Sequence, residues 1–577
     1  QAPRPRVRST GYPSNLPAQV TSFVGRDREI AEINQALPRT RLLTLTGSGG
    51  CGKTRLGLQV ATGVRDSYAD GVWLAELASL SNSSLVPKAV ASALGIPEQP
   101  RVPLTETLKR HLRAKSLLLV LDNCEHLLAA CAQLADALLR ACPNLSILAT
   151  SRESLGIAGE LTYRVPGLSL PDRHDLHVPR LERLSQFEAL RLFVERASFR
   201  QPGFVITESN APAVVQVCSR LDGIPLAIEL AAATVKGLSV EQIASRLDDR
   251  FRLLTDGSPT ALPRHQTLRA TMDWSYSLLT ESERVLLRRV SVFAGGFTLE
   301  AAERICSGDR LAPPEVLELM LRLVDRSMVI AGDRAGQSWY RLLETVRQYA
   351  WERLVEADEA DEMRQRHLTW YLALGENADS KLRGQEQQVW LERLETEYDN
   401  LRAALEWSQA DGGGAEKGLR LAAALFWFWQ LHGHWSEGRR WLEATNLLHG
   451  DASSRIGAKA VRWAALLAVQ QGDFDRAADL AQRGLTLARN SGDNESLIWC
   501  RDVLGQMAQK QGNYARAAGL FEDNLDLCRQ LNDQWLLGHE ISWLGFIARD
   551  QRDYARAAAL HTEALALFRK MGDKHFT

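Results

Sequence analysis

The chain is 577 residues long, 45% hydrophobic and 24% charged, which excludes a disordered or fibrous protein and suits about three to five domains. Its 69 basic and 70 acidic residues nearly cancel to a net charge of -1, so no global basic field draws it to nucleic acid or an anionic membrane. The eight cysteines (Cys51, Cys124, Cys131, Cys142, Cys218, Cys306, Cys500 and Cys528) form no C-x-x-C pair. That spacing excludes a disulfide framework or zinc knuckle and reads as small buried residues in a reducing cytoplasm. The most apolar stretch, Leu419 to Leu431, is interrupted by Arg420 and Gln430 and is too short to span a membrane.

The first residues, from Gln1 through Arg8, alternate proline, arginine and small residues, and residues 1–22 read as a linker, as in a piece cut from a longer protein. A first α/β domain is expected over 23–165. Arg41 to Thr46 reads as an apolar strand and Arg55 to Ala61 as a helix. Between them lies Gly47-Ser48-Gly49-Gly50-Cys51-Gly52-Lys53-Thr54, a full match to G-x-x-x-x-G-K-[ST]. A strand, a glycine-rich turn and a helix N-terminus make a nest of backbone N–H groups for phosphate. Lys53 is expected to reach the β- and γ-phosphates, and the Thr54 hydroxyl to ligate Mg²⁺. The bland alternative is a glycine-rich turn that binds nothing.

Leu117 to Leu121 is an apolar run without alternation, as in a central parallel strand, and closes on Asp122. An acid there suits the magnesium side of a phosphate site. A further strand, Leu145 to Ala149, ends in Thr150-Ser151-Arg152, and Arg152 is either a γ-phosphate sensor or a surface ion-pair partner. Strands separated by helices predict a doubly wound sheet with the ligand at the strands' carboxyl ends.

Residues 166–258 are expected to be a helical domain, opening on a linker with Pro166, Pro171 and Pro179 and holding Gly223-Ile224-Pro225-Leu226-Ala227 at a helix start. Residues 259–355 read as helices followed by a hairpin, with strands Ser327–Ile330 and Ser338–Arg341 and a turn at Gly332-Asp333-Arg334-Ala335-Gly336. That pattern is a winged helix. Residues 356–432 read as a helical arm whose aromatics, Trp370 to Trp429, are core packing. From 433 to 577 a unit recurs every 40 residues. Gly472-Asp473-Phe474-Asp475-Arg476-Ala477-Ala478 returns as Gly512-Asn513-Tyr514-Ala515-Arg516-Ala517-Ala518 and as Arg552-Asp553-Tyr554-Ala555-Arg556-Ala557-Ala558. Trp435 marks a weaker earlier copy. Ala465, Gly505 and Gly545 keep the period as points of close helix approach, and Asp493, Asp533 and Asp573 are expected at turns. The array resembles tetratricopeptide repeats, and its end at Thr577 suggests truncation.

Taken in order, Phe23-Val24-Gly25-Arg26, the phosphate loop, Leu121-Asp122-Asn123-Cys124-Glu125-His126, Thr150-Ser151-Arg152 and Gly223-Ile224-Pro225-Leu226-Ala227 resemble the STAND-class NTPases of the NB-ARC (AP-ATPase) type. Such proteins form the core of large bacterial regulators. The wording is most similar to LuxR-type regulators, with antibiotic-regulatory-protein relatives close behind. The resemblance implies ATP or ADP with Mg²⁺ as cofactors. It implies that Val24 and Arg26 border adenine and ribose, that Gly47, Gly49, Gly50, Cys51, Gly52, Lys53, Thr54 and Arg55 cradle the phosphates, and that Pro225 packs on the base. Lys53, Asp122 and Arg152 would form the hydrolytic set, with Thr54 and Asp122 on the metal. Two departures stand out. Asn123 replaces the second acid that many relatives place after Asp122, with Glu125 out of register. Leu342-Leu343-Glu344 stands where relatives carry Met-His-Asp, so no imidazole is available to lock ADP.

The function so implied is a slow ATP/ADP switch in the cytoplasm, with a small-molecule or protein inducer sensed by the repeats and self-association after ATP exchange. The winged helix would clamp the nucleotide domain, so DNA binding would come from an output domain outside this chain. A fast-cycling remodelling ATPase and a nucleotide-inert repeat scaffold are the alternatives.

Overall fold

The structure, a computed structural model, describes residues 13–19, 21–171, 181–254, 263–334, 336–410, 414–448 and 455–572. The opening residues 1–12, the linker residues Asp172 to Pro179, Ala335 of the expected turn, and Asp573 to Thr577 fall outside it. Two compact units divide the chain: 1–96 with 104–360, and 97–103 with 361–577.

The first unit begins with a five-stranded parallel sheet of β1 (Leu42–Thr46), β2 (Val72–Glu76), β3 (Leu117–Asp122), β4 (Leu145–Ser151) and β5 (Glu160–Arg164), in the order β2-β3-β4-β1-β5. Every residue of β1 and β3 is buried, which explains the run of leucines without alternation. Leu119, Leu121 and Ile147 face one apolar core with Val90, Leu108 and Leu138. Leu43, Leu45, Leu118, Val120 and Leu148 face the other with Ile33, Leu56 and Val60. Helices cover both faces, as a doubly wound α/β domain requires. Part of the stretch read as linker is bound to this sheet: Ser14 bridges Val72, and the Asn15 side chain pairs with the backbone of Leu74.

Helices follow: Leu181–Leu184, Glu188–Arg200, Ala211–Arg220, Pro225–Ala232, Val240–Leu254 and Pro263–Ser277. Pro225 stands at the first position of its helix, where its missing N–H costs nothing. Next come helices Glu281–Arg289, Leu299–Cys306 and Pro313–Asp325, and a three-stranded antiparallel sheet of β6 (Gly296–Thr298), β7 (Ile330–Arg334) and β8 (Gln337–Arg341), ordered β6-β8-β7. This is the winged helix, with two corrections. The first hairpin strand starts at Ile330 because Ser327 sits at φ 58°, ending the preceding helix, and Met328 and Val329 go to the core. Gly332, Asp333 and Arg334 of the expected turn belong to the strand instead, and Arg334 pairs with Gln337. β6 was not expected at all.

In the second unit the arm is not one long helix but several, including Ala360–Lys381, Gln387–Thr396, Tyr398–Ser408 and Ala415–Ala424. The repeats are helix pairs: Arg455–Gln470 with Phe474–Ser491, Asn494–Lys510 with Tyr514–Leu531, and Gln534–Asp550 with Tyr554–Met571. The repeated Asp or Asn at 473, 493, 513, 533 and 553 is in each case a helix N-cap whose side chain accepts a backbone N–H. Gly505 faces the Phe521 ring and Gly545 the His561 ring so closely that a Cβ at either would lie under 3.0 Å from the ring. The repeats also carry a tryptophan period that the 40-residue alignment does not contain. Trp427, Trp463, Trp499 and Trp535 recur every 36 residues, one helical turn short of the 40-residue unit, so successive rings step along the stack and converge. The Trp427 ring lies 5.2 Å from that of Trp535.

Segment 97–103 belongs to this unit. Arg101 donates to the Gly472 carbonyl at 2.7 Å and lies over the Phe474 ring, and Glu98 accepts from Ser436.

Candidate phosphate-binding site

The loop 47–52 leaves β1 and enters the helix Lys53–Gly63. Gly50 at φ 73° and Gly52 at φ 91° bend it in a region that side chains resist, leaving backbone groups facing the loop's interior. The buried Lys53 ammonium donates to the carbonyls of Gly47 (2.9 Å) and Ser48 (3.1 Å), so it spans the loop at the point where a phosphate would sit.

Asp122 lies at the end of β3, with β4 between that strand and β1. The Thr54 hydroxyl donates to its Oδ1 at 2.8 Å, and Thr150, from β4, donates to the same oxygen at 2.5 Å. Burial pushes the Asp122 carboxyl up, against the pull of the two hydroxyls. Thr54 and Asp122 thus form a hard oxygen pair beside the loop, the donor set that suits Mg²⁺. Thr150 was read only as part of a strand end. Its role shows once the sheet order puts β4 beside β3.

Arg152, just past β4, pairs with Glu125 at 3.2 Å and donates to Gln348 at 3.0 Å. Glu125 therefore meets a cation through Oε1, while its Oε2 is buried without a hydrogen bond. Asn123 stands at φ 65° and its N–H donates to Thr150.

Arg26 is buried and does structural service. Its guanidinium donates to Glu29, to the Cys51 carbonyl at 3.1 Å and to the Pro166 carbonyl at 2.8 Å, so it braces the loop from behind. Its own N–H is held by Glu188, whose carboxylate packs against Gly25 where no Cβ would fit. Val24 is half-buried next to it. The Arg55 side chain turns away from the loop to the carbonyls of Thr21 and Ser22, and Cys51 is buried within the loop.

The helical and winged-helix elements close on the loop. Leu226 donates its N–H to the Gly50 carbonyl at 3.3 Å, and Pro225 lies 3.8 Å from where a Cβ on Gly52 would be. Leu268 reaches Gly50, and Thr345 lies 3.4 Å from a Cβ position on Gly49. Thr345 and Gln348 sit in the first turns of the helix Glu344–Glu356. Both were missed, although Thr345 directly follows the three residues that stand in place of Met-His-Asp.

Comparison with known proteins agrees with this division. Family models match an AAA domain over 38–158, a winged helix-turn-helix domain over 279–355 and a tetratricopeptide repeat over 456–530. An uncharacterized protein of Mycobacterium tuberculosis is 43% identical over 343 residues, 59% of this chain and 84% of its own length. The chain belongs to this family. The same bacterium's protein named "Putative HTH-type transcriptional regulator Rv0890c" is 44% identical over 471 residues, 80% of this chain but 51% of its own length. The regulatory protein AfsR of Streptomyces griseus is 27% identical over 443 residues, 72% of this chain and 41% of its own. The chain thus spans about half the length of the curated regulators it matches. A solved STAND protein with a tetratricopeptide repeat sensor, from Pyrococcus horikoshii, aligns with 96% of this chain and 85% of its own, at 14% identity and a TM-score of 0.40. The three family models follow one another in the expected order of P-loop domain, winged helix and tetratricopeptide repeats. Among the described residues, no helix is long and apolar enough to cross a membrane.

Proposed function

We propose that the chain is the regulatory core of a cytoplasmic, nucleotide-controlled switch. One observation carries the reading: the first turns of the helix after the winged hairpin meet the phosphate loop, through Thr345 at Gly49 and Gln348 on Arg152. Lys53 and the loop N–H groups would bind the phosphates of ADP or ATP, with Val24 and Pro225 toward the base and ribose and Arg26 bracing the loop behind them. Thr54 and Asp122 would hold Mg²⁺, which neutralises phosphate charge when bound. Arg152 would feel the γ-phosphate and relay it by exchanging Glu125 and Gln348 for phosphate oxygen. Thr345 is the candidate to replace the missing imidazole of the ADP lock. An inducer on the repeats would favour the open, self-associating form, and its leverage is limited to its differential affinity for the two forms.

Slow turnover suits this site better than fast cycling, because Asn123 supplies no carboxylate and Glu125 is paired with Arg152. DNA readout by this winged helix is disfavoured too. Its third helix, Pro313–Asp325, exposes Leu317 and Leu321 beside Glu315 and Glu318, a surface that phosphates would not attract. An output domain outside this chain would supply DNA contact. The test is mass spectrometry of nucleotide released from the purified protein, followed by single-turnover hydrolysis. Co-purified ADP with turnover far below ~1 per second, the low end of ordinary enzymes, is expected. Absence of any affinity for ATP or ADP would leave the repeat scaffold as the reading.

A further inference from the structure

The repeat array buries a cluster of polar groups that its periodicity does not require. Asp502 lies on the helix Asn494–Lys510, and His539 and Glu540 lie on Gln534–Asp550, the first helix of the next repeat. Asp502 and Glu540 have no exposed surface, and one ligand atom from each of the three residues lies within 4.8 Å of the others. Each carboxylate has one oxygen pinned by a carboxamide. Gln506 donates to Asp502 Oδ2 at 2.9 Å, and Asn524 donates to Glu540 Oε2 at 3.0 Å. The other oxygen of each, Asp502 Oδ1 and Glu540 Oε1, is buried and accepts no hydrogen bond, as is Asn524 Oδ1. The His539 ring, beside the indoles of Trp499 and Trp535, brings Nδ1 to 3.5 Å from Glu540 Oε1.

We propose that Asp502, His539 and Glu540 form a divalent transition-metal site, zinc first among its occupants, that clips two consecutive repeats together. A buried carboxylate with one oxygen left without a donor is costly, and a shared cation is the compensation that serves two at once. The geometry fits. Tetrahedral ligands at 2.0–2.2 Å from zinc stand roughly 3.3–3.6 Å apart, so the His539–Glu540 pair is already at ligand spacing and Asp502 needs to close by about an ångström. The carboxamides act as the outer shell that orients such ligands. Asn524 Oδ1 or a water can take the fourth position. One imidazole with two carboxylates suits zinc, cobalt or manganese, whereas calcium would need six or more oxygens. The rival arrangement is a proton shared between the acids, with no ion.

The test uses the full chain, stripped with a chelator and titrated with Co²⁺ and then Zn²⁺. The expected result is one tight equivalent per chain, visible ligand-field bands that zinc abolishes, and a higher unfolding temperature with zinc. Asp502→Asn and Glu540→Gln keep shape and remove buried charge, so both should fold, with normal far-UV circular dichroism, and lose affinity roughly 100-fold or more. A second, mostly exposed group, Glu395 with His432 and His434, is the other place an ion could settle, so Glu395→Gln serves as the control and should keep the tight site. Failure of the wild-type chain to bind either ion, or unchanged binding in Asp502→Asn and Glu540→Gln, would overturn the proposal; the first result would favour the shared proton.

Discussion

The phosphate loop and the repeat array solve opposite problems with polar groups. At the loop, the chemistry is written in eight consecutive residues: the Lys53 ammonium donates to two backbone carbonyls and the Thr54 hydroxyl to the Asp122 carboxylate. In the array, the polar groups that matter are far apart in sequence and sealed inside: Arg402 grips Glu437 through two 2.7 Å bonds, and Asp502 meets His539 and Glu540 across a repeat boundary. The loop's own charges, Lys53 and Asp122, are buried as well, but their partners lie in or beside the loop. A stack that must hold shape can afford to bury its polar groups, and then depends on every partner staying in place.

The largest effect expected from this contrast is in the array. Replacing Glu437 with Gln strands the buried Arg402 cation and should cost about 3–5 kcal/mol, read as a lower denaturant midpoint for the second unit. Burial opposes ionisation of Glu437, but the Arg402 guanidinium outweighs it and holds the carboxyl down to about 2. With a folded value below the ordinary 4.5, its contribution is whole above about pH 4.5 and fades as pH falls toward 2. Glu359, beside Arg288 and Arg289 in the first unit, is likewise held at about 2 despite its burial. Acid should therefore loosen both units in one window, and Glu437→Gln should remove only the array's share. Equal acid sensitivity in mutant and wild type would break the comparison.

Next in size is Lys53→Ala. Losing the one ammonium that spans the loop should weaken ATP and ADP binding by roughly 1.5–3 kcal/mol, about 10- to 150-fold by calorimetry. The same change should leave the array's unfolding untouched. A smaller effect is expected for Gly50→Ala. Its φ of 73° and the Leu226 side chain, 3.0 Å from the added Cβ, together should cost about 1–2 kcal/mol of first-unit stability and loosen the Leu226–Gly50 contact.

Much of the loop was legible because a strand, a glycine-rich turn and a helix are a local object: β1, the turn and the helix Lys53–Gly63 follow one another as the motif implies, and Thr54 meets Asp122. What stayed hidden came from the third dimension. Thr150 acts because β4 lies next to β3, Glu188 because a helix more than 160 residues along the chain packs on Gly25, and Arg26 because its side chain turns inward to Cys51 and Pro166. In the array, the 40-residue period was plain, since each unit repeats an N-cap and a small residue. The 36-residue tryptophan series was not, because it follows the stagger of one repeat on the next. The metal-type cluster obeys neither period.

The smallest effect bears most directly on how the nucleotide site could be read by the rest of the molecule. Gln348 accepts one hydrogen bond of 3.0 Å from Arg152, a cation that is 39% exposed and also paired with Glu125. Removing it in Gln348→Ala should cost about 0.5–1.5 kcal/mol, a net value for a single partly solvated bond. If the helix Glu344–Glu356 holds the closed form through this bond, the cost falls on that form alone. ADP release should then quicken by roughly 2- to 10-fold, while ATP affinity, in which Arg152 would turn to the γ-phosphate, stays within twofold. Stopped-flow release of a fluorescent ADP beside ATP calorimetry reads both quantities. Equal loss for the two nucleotides would mean that Gln348 merely steadies the loop, and the relay from Arg152 to the winged-helix element would have to be given up.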